Sequence, residues 1–349
     1  MRHGTSYSTA TTALTSETFP GYFDSRVLTR KYDASTSGAL GRNIGFTLSG
    51  SGGSGTESDV AYGYDATGRF NQVGLPAPGA SFAYSFTTGS NLVATIAEVT
   101  GGAWTETNSY EAHRNLLTGI DGQFGAAVIA QFAYVHDALG RRTSVADSGQ
   151  IFARYVNAGL VTTYGYNDRS EVTAAQSYYG TNPADLSSPV AARGFAYAFD
   201  NIGSRTSSSV VGNGPGDVQT TSYTNNNLNQ VTARTSPGST NVTGLAPAAA
   251  AVTVNGAAAV RQGDYYYKNV AAGTTPAWQS LAIASSLGGS STRYSYLAAT
   301  PESYAYDLDG NVTDDGRWHY VWDAENRLVS METSLTTSVL ATGVPRQFL

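Results

Sequence analysis

The chain has 349 residues, of which 13% are charged, 41% hydrophobic and 11% aromatic, and its formal net charge is −6. A charged fraction about half of the usual ~25%, together with 39 glycines and 23 tyrosines, favours strands and turns over helices. The composition excludes a basic nucleic-acid-binding surface, disulfides and thiolate metal sites, since cysteine is absent, and any run of the ~18 apolar residues that a membrane span needs.

Residues 1–60 are a Ser/Thr/Gly-rich segment with one degraded copy, at Tyr32 and Asp33, of a repeat that recurs downstream. Ser49–Gly55 is typical of a flexible loop. Its Gly-x-Gly-x-x-Gly letters match a dinucleotide fingerprint, but no helical pattern follows them, so we expect no nucleotide site. The N-terminus lacks the apolar stretch of a signal peptide. We therefore expect an internal piece of a longer protein in preference to export by another route.

Residues 61–232 carry a regular array of the repeat Tyr-x-aromatic-Asp-x-x-Gly-(Arg/Asn), and two further copies lie in residues 303–349. The best copies place their key residues at Tyr62, Tyr64, Asp65, Gly68 and Arg69; Tyr134, Asp137, Gly140 and Arg141; Tyr197, Asp200 and Gly203; Tyr304, Tyr306, Asp307 and Gly310; and Tyr320, Trp322, Asp323 and Arg327. Degraded copies bring the number to ten, and the second aromatic position recurs every 22 to 33 residues between 64 and 225. This spacing predicts one β-hairpin per repeat.

Each position of the repeat has a physical reason. Tyr62 and Tyr64 share one face of a strand, where rings of neighbouring strands pair for roughly 0.2–1 kcal/mol each. Asp65 ends the strand by accepting the N–H two residues on, and Gly68 supplies the positive φ of a tight turn. We expect the charge of Arg69 to pair with the Asp carboxylate. Ten equivalent turn carboxylates predict structure and not acid–base catalysis, which needs one carboxylate with a special pKa.

The period breaks between positions 225 and 306. We predict that residues 233–302 are an inserted β module or a long loop. Asn255-Gly256 between apolar runs is a strong signal for a two-residue hairpin turn. The preceding Ala246–Val254 run is predicted as extended, with a short helix as the alternative.

The repeat resembles the YD repeat of the Rhs family, which includes bacterial Rhs and wall-associated proteins, the cocoon subunits of toxin complexes, and teneurins. The resemblance implies an all-β fold in which tandem hairpins form a long coiled antiparallel sheet, part of a hollow β-shell. In the family, the shell often encloses a C-terminal toxin or presents adhesive and carbohydrate-binding surface. This chain lacks the family's C-terminal core and toxin, so the resemblance implies a fragment of a secreted or surface-located bacterial parent protein.

We therefore predict a non-enzymatic structural segment of a shell, which in the parent protein encapsulates or presents a C-terminal effector. The alternative is a cell-surface carbohydrate-binding or adhesion module, with Trp278, Trp318, Trp322 and the Tyr265–Tyr267 run as candidate glycan-stacking rings. The partners implied are the effector and carbohydrate, with no nucleic acid.

No cofactor, metal site or catalytic residue is predicted. The four histidines are scattered, whereas zinc needs three or four convergent ligands. His136 occupies an aromatic position of the repeat, where we expect a packed ring. The Asp147-Ser-Gly letters resemble an aspartic protease, but such an enzyme needs two carboxylates that share a proton, and the sequence has no second Asp-Thr/Ser-Gly motif.

Overall fold

The computed structural model of the chain describes residues 4–7, 14–19, 25–33, 41–50, 55–75, 79–272, 276–298, 300–333 and 347–348. Within these residues every regular element is a β-strand, apart from two short 3₁₀ turns at Gln150–Phe152 and Val156–Ala158. The predicted all-β fold is thereby confirmed. Residues 51–54 of the predicted flexible loop, His3 and most of the C-terminal segment after 333 lie outside the described residues. No helix in the described part is long and apolar enough to cross a membrane.

The chain divides into two compact units, Met1–Ala133 and Tyr134–Leu349. The strands of the first unit are β1 Gly4–Tyr7, β2 Leu14–Phe19, β3 Arg26–Tyr32, β4 Asn43–Ser49, β5 Thr56–Tyr64, β6 Phe70–Gly74, β7 Ser81–Phe86, β8 Val93–Glu98, β9 Trp104–Tyr110, β10 Leu117–Phe124 and β11 Ala127–His136, whose last residues belong to the second unit. Each strand from β1 to β10 pairs antiparallel with the next one in the chain. The result is an antiparallel meander, the sheet that consecutive hairpins produce.

The meander of the first unit has almost no buried interior. Val60 is the one buried large apolar side chain among its described residues, at 7% exposure, and most of its strand residues are half-buried. Ring-on-ring packing replaces a core, as where Phe70 contacts Tyr62, Tyr64 and the next repeat's Tyr84 at centroid distances of 5.6, 5.9 and 5.5 Å. This part of the chain is a single sheet stabilised along its own surface.

The second unit continues the same pattern. Its meander consists of β12 Arg142–Ser148, β13 Gly159–Tyr166, β14 Val172–Tyr179, β15 Pro189–Phe199, β16 Arg205–Val211, β17 Val218–Asn225 and β18 Val231–Arg234. Consecutive strands pair antiparallel throughout. After β18 the chain leaves the sheet for residues 235–301 and returns as β26 (Glu302–Ser303), which pairs with β18.

The excursion forms two small sheets. The first contains β19 Ser239–Leu245, β22 Val260–Gln262 and β23 Tyr265–Ala271; the second contains β20 Val252–Val254, β21 Ala257–Ala258, β24 Ala277–Ser285 and β25 Ser290–Leu297. Asn255 and Gly256, at φ 48° and 77°, form the tight turn between β20 and β21. Positive φ at both central residues is the geometry that Asn-Gly favours.

β23 is buried on both faces, which explains its run of three tyrosines. Tyr265 and Tyr267 pack with Leu160, Tyr179 and Val190 of the meander. On the opposite face, Tyr266 packs with a second buried group, formed by Val242, Val252, Val254 and Leu281. The inserted strands therefore add two layers to the main sheet, and these layers contain most of the buried apolar side chains of the chain's described residues.

The last strands repeat the hairpin pattern of the array. They are β27 Ala305–Tyr306, β28 Val312–Asp314, β29 Trp318–Trp322, β30 Leu328–Thr333 and β31 Gln347–Phe348. β27 to β31 form one antiparallel sheet in chain order.

Candidate functional site

The most regular feature of the molecule is the turn that closes each repeat. Asp137 Oδ1 accepts the backbone N–H of Leu139 and of Arg141, each at 2.9 Å. The backbone of Asp137 donates to Arg141 O at 2.9 Å and accepts from Gly140 N–H at 3.0 Å. The same pair of side-chain bonds, to residues two and four positions later, occurs at Asp65, Asn167, Asp200, Asn226, Asp307 and Asp323. One side-chain oxygen therefore satisfies two backbone donors at the tip of each of these seven turns.

The fourth residue of each turn has a left-handed backbone. It is glycine at Gly68, Gly140, Gly203 and Gly310, with φ between 80° and 90°, and it is Ser170, Asn229 or Asn326, with φ of 63°, 61° and 59°, in other copies. Asn tolerates this region better than most residues because its short polar side chain bonds locally. The hairpins closed at Asp65, Asn167, Asp200, Asn226, Asp307 and Asp323 also contain a register shift, as where Phe199 pairs with Arg205.

The Arg that follows the glycine joins its own turn to the next repeat. Arg141 Nε donates to Asp137 Oδ2 at 2.7 Å, and its guanidinium lies 4.7 Å from the ring centre of Tyr166 in the next repeat. Its terminal nitrogen donates to Asn167 O at 3.2 Å. A planar guanidinium suits this combination of an ion pair and a cation–π contact. We call this arrangement the Arg clamp.

The Arg clamp recurs wherever the sequence supplies its parts. Arg69 bonds Asp65 Oδ2 at 2.7 Å, lies 4.2 Å from the ring centre of Phe86, and donates to Ser90 O at 2.6 Å. Arg327 bonds Asp323 Oδ2 at 2.7 Å. Its side chain is 69% exposed, compared with 24% for Arg141, and no ring of a following repeat lies beneath it among the described residues.

The clamp also sets the electrostatics of the turn carboxylates. Partial burial raises the pKa of the Asp137 carboxyl, but the hydrogen bonds and charge of Arg141 outweigh it and lower that pKa below its usual value. At Asp65 the bond from the Thr67 hydroxyl is the largest cause of a strongly lowered pKa. These carboxylates are therefore fixed anions and unsuitable as general acids at neutral pH.

The second ring of each repeat reaches back to the repeat before it. Tyr166 Oη donates to Arg142 O at 2.7 Å, and Arg142 lies one residue after the clamp residue Arg141. The same backward bond runs from Tyr64 to Asn43 O, Tyr110 to Val93 O, Asn225 to Arg205 O, Tyr306 to Val231 O and Trp322 to Val312 O, at 2.6 to 3.0 Å. Each junction between such repeats is thus joined through the backbone at its register shift.

The first ring of each repeat packs within its own hairpin. The guanidinium of Arg142 lies 4.2 Å from the centre of the Tyr134 ring, and that of Arg205 lies 5.1 Å from Tyr197. In the repeat of Tyr62, a phenylalanine ring takes the same position. Tyr304 and Tyr320 instead donate their hydroxyls to Glu302 and Asp315.

Two contacts of this kind are not evident from the repeat pattern. Asn167 has no Arg four residues later; Glu171 stands there, and Arg169 bonds it at 2.7 Å while donating to Asp200 O of the next repeat at 2.6 Å. In the degraded N-terminal copy, Arg42 lies 4.6 Å from the ring centre of Tyr64. In both cases the sequence has an Arg near the turn, and this Arg could have indicated the contact. It does not stand four residues after the Asp or Asn of its turn, where the repeat pattern predicts it.

The three candidate glycan-stacking indoles lie in different surroundings. Arg317 inserts among the rings of Trp278, Tyr296 and Trp318, at 5.6, 4.6 and 5.5 Å from their centres. A cation therefore already contacts Trp278 and Trp318, whereas Trp322 lines an open cavity. Glycan stacking at these rings stays a prediction.

Among the residues that the structure describes, the remaining ionisable side chains form no assembled reaction centre. No group of three or more His, Asp or Glu residues able to hold a metal ion occurs in the described part of the chain. Burial raises the pKa of Asp147, opposed by the charge of Arg193. Its side chain is half-buried on β12, the strand that follows the Asp137 turn.

Neither protein-family models nor curated proteins match this sequence. Among solved structures, the crystal structure of TcdB2-TccC3-TEV is 11% identical over 99% of this chain, with a TM-score of 0.41. The Photorhabdus luminescens Tc holotoxin pore with a TccC3 mutation is 12% identical over 91% of this chain, with a TM-score of 0.40. A porin-like protein from Bacteroides uniformis is 11% identical, covers 79% of this chain and 96% of its own, and has a TM-score of 0.23.

The chain spans 18% and 17% of the length of the two Tc chains that it matches. Identities of 11% and 12% at these TM-scores establish no family membership.

Proposed function

We propose that this chain is a wall segment of an Rhs-type β-shell and has no catalytic activity of its own. The observation that carries the proposal is the pair of opposite contacts between consecutive repeats. Arg141 reaches forward to Tyr166, while the Tyr166 hydroxyl reaches back to Arg142 O. Contacts of this kind build a sheet by adding one hairpin at a time, as in other repeat proteins.

The burial pattern agrees with a wall. Strand residues of the first unit are half-buried and the sheet has no apolar core of its own among the described residues. A sheet stabilised by contacts between adjacent hairpins can grow in one direction without a central core. The residue types that recur, Tyr, Asp, Gly and Arg, all serve the hairpin or the junction to the next one.

We further propose that the longer polypeptide containing this segment is secreted or surface-located and encloses or presents a C-terminal effector. The support is the resemblance of the repeat to those of Rhs shells. An enclosing wall also gives a reason for chemically inert turns, since the lowered pKa values of Asp65 and Asp137 keep these carboxylates charged at neutral pH.

Electron cryomicroscopy of the full-length polypeptide tests this proposal. We expect a closed hollow shell in which residues 61–232 form part of the wall, with density for a polypeptide inside. A solid particle, or a shell in which these residues lie outside the wall, would contradict it. A matched preparation truncated after the last repeat should show an empty shell of the same curvature.

A further inference from the structure

A cavity of about 480 Å³ lies among the last repeats of the second unit. Five aromatic side chains line it, namely Tyr223, Tyr304, Tyr306, Tyr320 and Trp322. All five are half-buried, so each ring is held by the sheet and also open to the cavity. The volume falls in the range of about 300–1,000 Å³ that is usual for small-molecule sites.

The polar atoms of these rings are already occupied. Tyr306 Oη donates to Val231 O and Trp322 Nε1 donates to Val312 O, each at 2.8 Å. Tyr320 Oη donates to Asp315 Oδ2 at 2.9 Å, and Tyr304 Oη donates to Glu302 Oε2 at 3.2 Å. Tyr223 Oη lies 3.1 Å from Ser208 Oγ. Burial raises the pKa of Tyr304 and of Tyr320 to about 12, so both hydroxyls remain donors at neutral pH. A ligand meets ring surfaces and few free hydrogen-bond donors, which disfavours a sugar.

One cationic and one anionic side chain line the cavity, namely Arg234 and Asp315. Arg234 lines it but pairs with the buried carboxylate of Glu302. Asp315 Oδ1 accepts the backbone N–H of Arg317 at 2.9 Å and that of Trp318 at 2.7 Å. Its other oxygen, Oδ2, accepts the hydroxyl of Tyr320. None of these three donor groups is charged, and the guanidinium of Arg317 lies among the rings of Trp278, Tyr296 and Trp318. Asp315 therefore presents its carboxylate beside the rings of the cavity.

We propose that this cavity binds a small organic cation through its quaternary ammonium group, of which choline is the simplest probe. Aromatic faces attract a cation electrostatically, and several rings around one cation are the usual way to recognise quaternary ammonium. A trimethylammonium group has no N–H to satisfy, which suits rings whose polar atoms are already bonded. Asp315 supplies a charge of the opposite sign. This binding role goes beyond that of a wall segment.

Isothermal titration of the whole chain with choline chloride tests the proposal, at an ionic strength matched with KCl. The neutral isostere 3,3-dimethylbutan-1-ol has the same shape without the charge. We expect choline to bind at least about tenfold more tightly than the isostere, since one cation–π site contributes roughly that ratio. Equal affinities, no heat with choline, or tighter binding of glucose than of choline would overturn the proposal.

Two pairs of variants locate the site. Asp315→Asn keeps an oxygen for the two N–H donors but removes the charge, so we expect choline affinity to fall, whereas Asp309→Asn, outside the cavity lining, should leave it unchanged. Tyr223→Leu should weaken binding and Tyr223→Phe should preserve it. Circular dichroism identifies a variant that fails to fold, and the other pair then decides. Choline affinity unaffected by both Asp315→Asn and Tyr223→Leu would place the binding elsewhere and refute the assignment.

Discussion

At seven turns a single side-chain oxygen accepts two backbone N–H groups at the hairpin tip. Carboxylate and amide oxygens are interchangeable in this role, because both Asp137 Oδ1 and Asn226 Oδ1 accept from residues two and four positions later. The second side-chain atom differs between them. In Asp137 this atom is Oδ2, which accepts a hydrogen bond from Arg141 Nε. In Asn226 it is Nδ2, which donates to Gln230 Oε1. The choice of residue therefore decides what the turn can hold in addition to its own backbone.

Replacing Asn226 with Ala removes both acceptor bonds at one turn. We expect the second unit to lose about 1–2 kcal/mol in its free energy of unfolding, the usual cost of losing a side-chain acceptor for exposed backbone N–H groups. Urea unfolding followed by circular dichroism measures the loss. Asn226→Asp keeps the acceptor oxygen and is the matched control, for which we expect a much smaller change. Equal losses for both variants would contradict the assigned role of Oδ1.

The Asp137–Arg141 pair predicts a dependence of stability on pH. Since folding lowers the pKa of Asp137 from its ordinary value of 3.8, the pair stabilises the fold above pH 3.8, and this contribution disappears as pH falls through the lower folded value. We expect wild type to melt above Asp137→Asn at pH 7 and the gap to close towards pH 2. A gap that is constant across this range would show that the carboxylate charge contributes nothing.

At the scale of the strand pair, the backward bond from the second ring holds the register shift of the preceding hairpin. Tyr166→Phe removes the bond to Arg142 O and leaves the ring beneath Arg141 in place. We expect a loss of about 1 kcal/mol, typical of one hydrogen bond to the backbone. Chemical denaturation compares this variant with wild type.

Tyr134→Phe is the matched control for this measurement. Its ring lies beneath Arg142, and its hydroxyl makes no hydrogen bond within the described residues. We expect this variant to be as stable as wild type. A loss at Tyr134→Phe as large as that at Tyr166→Phe would mean that the hydroxyl at the second ring position has no special part in the junction.

The hairpin itself could be predicted from the sequence, because its turn chemistry is local. Asp65, Gly68 and Arg69 lie within five residues, and each has one role. The junctions could not be predicted in full, because they depend on which strand lies alongside. The contact from Arg169 to Asp200 O spans 31 residues. Arg317 likewise contacts the rings of Trp278 and Tyr296, which lie on β24 and β25 in the second small sheet.

At the scale of the whole molecule, the inserted strands change where the core lies. The run Tyr265–Tyr267 is rich in aromatic residues, but alternation alone does not say that both faces of its strand are covered. Tyr265 and Tyr267 pack on the meander, and Tyr266 packs on the second small sheet. Such two-sided burial needs strands from distant parts of the chain, so the sequence pattern left open whether residues 233–302 were a module or a loop.

The central claim is that the seven repeats whose turns begin at Asp65, Asp137, Asn167, Asp200, Asn226, Asp307 and Asp323 share the same side-chain-closed turn. Hydrogen–deuterium exchange by NMR tests it at the amides two and four residues after each Asp or Asn, such as Leu139 and Arg141, with the unbonded amide of Asn201 as an internal reference. We predict that these turn amides exchange far more slowly than the reference in all seven of these repeats, although they lie at exposed hairpin tips. Exchange at the rate of a free peptide at these positions would contradict the claim.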